Sequence, residues 1–107
     1  MSGGKRPRRI GREAETAAKH LFQERDYDVV DCTAGTVGCD LVAMKDSTIW
    51  AVEVKAQRTM RIDDWLAQSR AQAVGNRRWC LMAKLPQSHS WLIYRQGEEP
   101  TTWEERK

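Results

Sequence analysis

Between Arg12 and Arg25 the apolar residues recur at three- and four-residue spacing, with Ala14, Ala17, Ala18, Leu21 and Phe22 on one face. That period predicts an amphipathic helix. Further on the pattern changes to short apolar runs, which predict strands at 27–32 (YDVVDC), 39–44 (CDLVAM) and 48–57 (TIWAVEVKAQ). TAGTVG at 33–38 is rich in Thr and Gly and predicts a loop. KDS at 45–47 is turn chemistry, so the second and third strands are expected to form a hairpin. IDDWLAQSRAQAV at 62–74 predicts a second helix, with Asp63 and Asp64 in its first turn and Gly75-Asn76 at its end. RWCLMAKL (78–85) and SWLIYR (90–95) are two further strands, separated by PQSH. The order α-β-β-β-α-β-β describes a mixed α/β (α+β) domain, a central mixed sheet flanked by helices.

A chain of 107 residues has room for one modest core. Its expected parts are a basic flexible arm (1–11), a folded domain (12–95) and a polar, frayed tail (96–107). No apolar run approaches the ~20 residues of a membrane span, and no secretory signal follows the basic N-terminus. The three cysteines, Cys32, Cys39 and Cys80, form no C-x-x-C pair, which argues against a disulfide framework or a zinc site. An intracellular, cytoplasmic location is therefore expected, in the host cytoplasm if the source is viral. The net charge of +3 is unevenly placed: Lys5, Arg6, Arg8, Arg9 and Arg12 open the chain with no acid among them. Such a block suits a nucleic-acid-binding arm, and it equally suits a solvated tail.

Two charges break the third strand's apolar run, WAVEVKA. Side chains alternate between faces of a strand, so Trp50, Val52 and Val54 share one face and Ile49, Ala51, Glu53 and Lys55 the other. Glu53 and Lys55 then sit ~6–7 Å apart along the strand. A hairpin pairing 40–44 with 48–54 brings Asp40 beside Glu53. Converging carboxylates repel unless a cation lies between them, and Mg²⁺ suits such a site because it takes oxygen ligands. Lys55 on the same face could orient a water or hold charge at a phosphate. The plainer alternative is an ordinary ion pair on a half-exposed strand. Glu15 borders the apolar stripe of the first helix and is a further candidate, whereas Glu13 points away from it.

D-(x)12-E-x-K after a Glu-bearing helix resembles the PD-(D/E)XK nuclease superfamily. Within it, GREAETAAKHLFQERDYDVV, TAGT, DLVA, AVEVKA, SRAQAVGNRRWCLMAKL and SWLIY are similar to segments of archaeal and phage Holliday-junction resolvases. The likeness runs from Gly11 to Tyr94. Cys39 departs from the pattern, standing where many members have Pro before the Asp.

The resemblance implies a restriction-endonuclease-like fold and a Mg²⁺-dependent endonuclease, with Mn²⁺ as a substitute, acting as a homodimer on four-way DNA junctions in recombination and repair. Glu15, Asp40, Glu53 and Lys55 would be the catalytic set. Asp40, Glu53, the carbonyl of Val54 and Glu15 would serve the metal. Thr33 or Thr36 would place a hydroxyl near the scissile phosphate. Arg6, Arg8, Arg9, Arg12, Arg58 and Arg61 are candidates for DNA contact, as are Arg70, Arg77, Arg78 and Lys84; each is also readable as a solvated surface charge. Trp65 and Trp91 are open to a core role or a dimer surface. No membrane and no small-molecule cofactor are expected. The alternatives are a nuclease of the same superfamily acting on flaps, single strands or restriction-type targets, and a catalytically silent DNA-binding subunit.

Overall fold

Asp46 and Ser47 form a two-residue turn with φ of 51° and 68°. Hairpins favour such turns, because positive φ at both central positions matches the twist of the flanking strands. The structure is a computed structural model that describes residues 5–32 and 39–106, with residues 5–11 described by backbone alone. Its described elements are α1 (Lys5–Gln23), β1 (Asp28–Asp31), β2 (Leu41–Lys45), β3 (Thr48–Lys55), α2 (Ile62–Arg70), β4 (Arg77–Lys84), β5 (Ser90–Arg95) and β6 (Thr101–Glu104). The strands lie in sequence order in one sheet. Among the described residues only β3 and β4 pair in parallel, and α2 is the crossover that this pairing needs.

The period-two pattern divides the sheet between two helices. From α1, Ala14, Ala18, Leu21 and Phe22 pack on Leu41, Ala43, Trp50, Val52, Cys80, Met82, Trp91 and Ile93. On the other face Trp65 of α2 packs on Leu81 and Ala83, with Met60, Ile62, Leu66, Leu92 and Tyr94 around them. Adjacent residues of β4 and β5 thus serve opposite layers, as buried central strands must. Trp65 and Trp91 are 3% and 0% exposed, which places both in the core and removes them as a dimer surface. Each buries a large apolar area in its layer.

Three boundaries differ from those the pattern predicts. The backbone of α1 begins at Lys5, so most of the expected flexible arm continues the helix. Arg and Lys are good helix formers, and Pro7 falls in the first turn, where its missing N–H costs nothing. Helix α2 stops at Arg70, short of Val74, in a turn that leads to Gly75 at φ 66°. The tail from Gln96 is not frayed: Gly97 at φ 80° permits a turn, and β6 pairs with β5 through Trp91↔Trp103.

Strand β6 is pinned near its C-terminal end. Trp103 meets Phe22 edge-on at 5.2 Å, and the Arg25 guanidinium lies 4.3 Å over its ring. Glu105 accepts a hydrogen bond from the indole N–H of buried Trp91 at 2.7 Å and pairs with Lys84 at 3.4 Å. Burial works to raise the Glu105 pKa, but the Trp91 hydrogen bond and the Lys84 charge outweigh it and hold the pKa below the usual carboxylate range.

Glu105→Ala leaves the Trp91 N–H unpaired in the core and should cost about 1–3 kcal/mol. Urea unfolding measures this, and an unchanged midpoint would refute the pinning role. Ser47→Gly relieves a left-handed residue and should add about 1 kcal/mol by the same assay.

Candidate active site

The hairpin register runs from Lys45↔Thr48 to Leu41↔Val52. Continued by one residue, it sets Asp40 opposite Glu53, and the Asp40 N–H bonds the Val52 carbonyl at 2.8 Å. The Asp40 side chain turns back onto β3, where its Oδ2 accepts the Val54 N–H at 2.8 Å. Asp40 is thereby held on the strand that carries Glu53, Val54 and Lys55. Glu53 and Lys55 pair at 3.6 Å, with side chains 14% and 19% exposed. In this half-buried setting the pair is shielded from the solvent that makes surface ion pairs nearly worthless.

Glu15 reaches the same place from α1, where it stands between the buried Ala14 and Ala18. Its pKa is raised to about 7, first by burial and then by the charge of Asp40 and a hydrogen bond to it, with Asp31 and Glu53 adding to the shift. Glu53 is also raised, by burial and by Asp40, against the lowering effect of Lys55. Three carboxylates therefore crowd one spot with a single ammonium among them. Glu13, by contrast, is exposed.

This donor set suits a hard divalent cation. Among the described residues no group of three or more His, Cys, Asp or Glu side chains is placed so as to hold a metal ion. Mg²⁺ does not need such a group, because it typically takes one or two protein carboxylates and keeps several waters. A cation placed among Glu15, Asp40 and Glu53 would offset their mutual repulsion.

The other candidates are distributed around this centre. Arg12 is exposed and lines a groove of ≈ 580 Å³ with Glu15, Thr16, Lys19 and Asp31. Arg58 and Arg61 are exposed beyond the end of β3. Arg6, Arg8 and Arg9 lie on the first turns of α1, and their side chains fall outside the described residues, as do Thr33 and Thr36 altogether. Arg70 and Arg78 lie over the rings of Trp79 and Trp50. Asp31 was not among the sequence candidates. It neighbours the site because β1 ends opposite the start of β2, at Asp31↔Leu41. The signal for it was an acid closing the strand before the loop that leads to Asp40. The thiols of Cys32 and Cys39 lie 2.8 Å apart beside Asp40. Burial, with Cys39 adding to it, pushes the Cys32 thiol up to about 12, so it stays protonated.

No protein-family model matches the chain, and no curated protein matches it. Among solved structures it is similar to Hjc, a Holliday junction resolvase from the archaeal hyperthermophile Archaeoglobus fulgidus. The two share 21% identity and superpose with a TM-score of 0.63, over 90% of this chain and 84% of that one. The likeness establishes a shared fold, a mixed six-stranded sheet flanked by two helices.

The raised pKa of Glu15 has a consequence for stability. Unfolded, the group titrates at the ordinary value of 4.5; folded, it titrates at about 7. Between those values the native state holds the extra proton, so stability falls as pH rises through the window. In EDTA, Glu15→Gln should be more stable than the parent at about pH 8, with the difference closing near pH 4. A pH-independent difference in urea midpoint would refute the coupling.

Proposed function

We propose that this chain is a divalent-metal-dependent endonuclease that acts as a homodimer and resolves four-way DNA junctions by paired nicks. The observation that carries the reading is the convergence of Glu15, Asp40, Glu53 and Lys55 at the end of the β2–β3 hairpin. The shared fold with a Holliday junction resolvase supports it.

Asp40, Glu53 and the carbonyl of Val54 would hold the cation, Mg²⁺ or Mn²⁺. Bound there, it supplies Lewis acidity at the phosphoryl oxygen and lowers the pKa of attacking water. Lys55 carries positive charge to the phosphate under attack, where a preorganised ammonium is worth more than it is in water. Glu15, poised near neutrality, is suited to hold a proton or orient a water at the same spot. The Asp40 bond to the Val54 N–H fixes the first carboxylate, so no side-chain search precedes the reaction. Arg12, Arg58 and Arg61 give the surroundings a positive rim that suits phosphate contact, which positions DNA without reading its sequence. A four-way junction has near two-fold symmetry, and a two-fold dimer would place one site on each of two opposed strands.

A single gel tests this. Four-way junction, flap, linear duplex and single strand are each incubated with Mg²⁺ and with EDTA. Symmetric nicking of the junction in Mg²⁺ alone is expected, and a preference for another substrate would overturn the junction assignment. Asp40→Ala and Glu53→Ala should each abolish cleavage and leave junction binding intact. Mg²⁺-dependent cutting retained in either variant would refute the site.

A further inference from the structure

A second groove, of ≈ 650 Å³, opens where the parallel strands β3 and β4 end. Its walls carry Gln57, Arg58, Lys84, Gln87 and Ser88 over a floor of Ala56 and Leu85. Its volume lies within the ~300–1,000 Å³ typical of ligand clefts. The groove begins one residue beyond Lys55, and Lys84 follows Ala83, the register partner of Lys55.

Its chemistry is one-sided. The lining residues comprise two cationic side chains, two amides and a hydroxyl, with no carboxylate among them. Glu105 stands behind Lys84 at 3.4 Å, which takes up part of that charge and leaves Arg58, exposed, as the stronger cation. The far wall is the β4–β5 turn, and it is rigidly built. Gln87 holds φ 54°, the Ser88 hydroxyl oxygen accepts the Ser90 N–H at 2.9 Å, and Leu85 N–H bonds the Ser90 carbonyl at 3.0 Å. Glu105 N–H adds a bond to the His89 carbonyl at 2.9 Å, tying the turn to the segment after β6. Cations beside amide and hydroxyl side chains suit a chain of phosphodiesters, which offers oxygen acceptors and negative charge at regular intervals.

We propose that this groove is a second phosphate-binding subsite, which seats the backbone of the DNA strand continuing from the phosphate held at Asp40 and Glu53. The proposal rests on the nuclease reading and adds to it a strand path and a role for the β4–β5 turn. Gln87 and Ser88 there are positioning residues: they orient the strand and take no part in bond cleavage. With the strand held on the far side of Lys55, the scissile phosphate is fixed from two directions, which is what orientation at a reacting centre requires.

Gln87→Glu tests the subsite by putting a carboxylate where a phosphate would lie, at almost unchanged volume. Gln68→Glu, on the exposed side of α2, makes the same change in net charge away from the groove. With four-way junction DNA in about 0.1 M salt, Gln87→Glu should weaken binding about tenfold, and Gln68→Glu less than about twofold. Arg58→Ala should lower the slope of log affinity against log salt by about one, the loss of one phosphate contact. Gln57→Glu on the opposite wall repeats the test if Gln87→Glu does not fold. Equal effects of Gln87→Glu and Gln68→Glu, or an unchanged salt slope in Arg58→Ala, would overturn the subsite. If the parent chain still cuts junctions in that case, the nuclease reading survives alone; a parent that neither binds nor cuts DNA overturns both.

Discussion

The register of the β2–β3 hairpin is the constraint on which the rest of the molecule depends. A slip of one residue would turn Trp50 and Val52 out of the α1 core and drive Glu53 and Lys55 into it. Two features prevent the slip. The Asp46-Ser47 turn admits a two-residue loop only, and Lys45 is tied by its ammonium to the Arg25 carbonyl at 2.8 Å, just beyond α1. The apolar face of β3 supplies the energy, since three of its residues pack on α1 or beside it. The same register that buries Trp50 therefore delivers Asp40 to Glu53.

What the register assembles is electrostatically unfavourable by itself. Burial and the charge of Asp40 raise the proton affinity of Glu15 and of Glu53, and at Glu53 the ammonium of Lys55 offsets only part of that. A folding core has no use for such a group of residues; an aliphatic side chain at position 53 would be cheaper to bury. Strain of this kind persists where surrounding structure enforces it, and it clusters at functional sites. A divalent cation and a phosphodiester bring opposite charges together, and they would meet three carboxylates and one ammonium already in place. The stored repulsion becomes attraction for the cation, which is the physical link between the cost of folding and the proposed chemistry.

Most of the layered architecture could be read from periodicity, because burial here follows the alternation closely. Met82 and Leu81 serve opposite cores, as their places in RWCLMAKL require. The placement of Asp40 beside Glu53 was legible for the same reason: a tight turn converts sequence distance into spatial pairing. Strand β6 was not legible. GEEPTTWEERK is polar, and its hold depends on one aromatic side chain and one carboxylate, Trp103 and Glu105, reaching partners far away in sequence. The dual reading of Trp65 and Trp91 failed for a related reason. An isolated tryptophan carries the same local pattern whether it faces another helix or another chain, and only the layer it completes decides. The position of Glu15 was half legible: the wheel set it at the border of the apolar stripe, and the docking of α1 determined what lay across that border.

The single parallel pairing has a further effect. The antiparallel neighbours β2 and β3, β4 and β5, and β5 and β6 connect directly through turns. Between β3 and β4 the connection leaves through α2 and returns at the opposite edge. The carboxyl ends of both strands are thereby left side by side, with Lys55 at one and Lys84 at the other. Carboxylates gather on the hairpin side of this opening, while cations and amides line it at and just beyond the ends of both strands, Gln57 and Arg58 after β3, Lys84 at the end of β4 and Gln87 after it. In the proposed reading, an anionic chain entering there would meet carboxylates too negative to hold it without a cation, next to a groove that would hold it directly. Binding and cleavage would then be separable: the groove would need no metal to retain a phosphate backbone, and the carboxylates would need one to act on it.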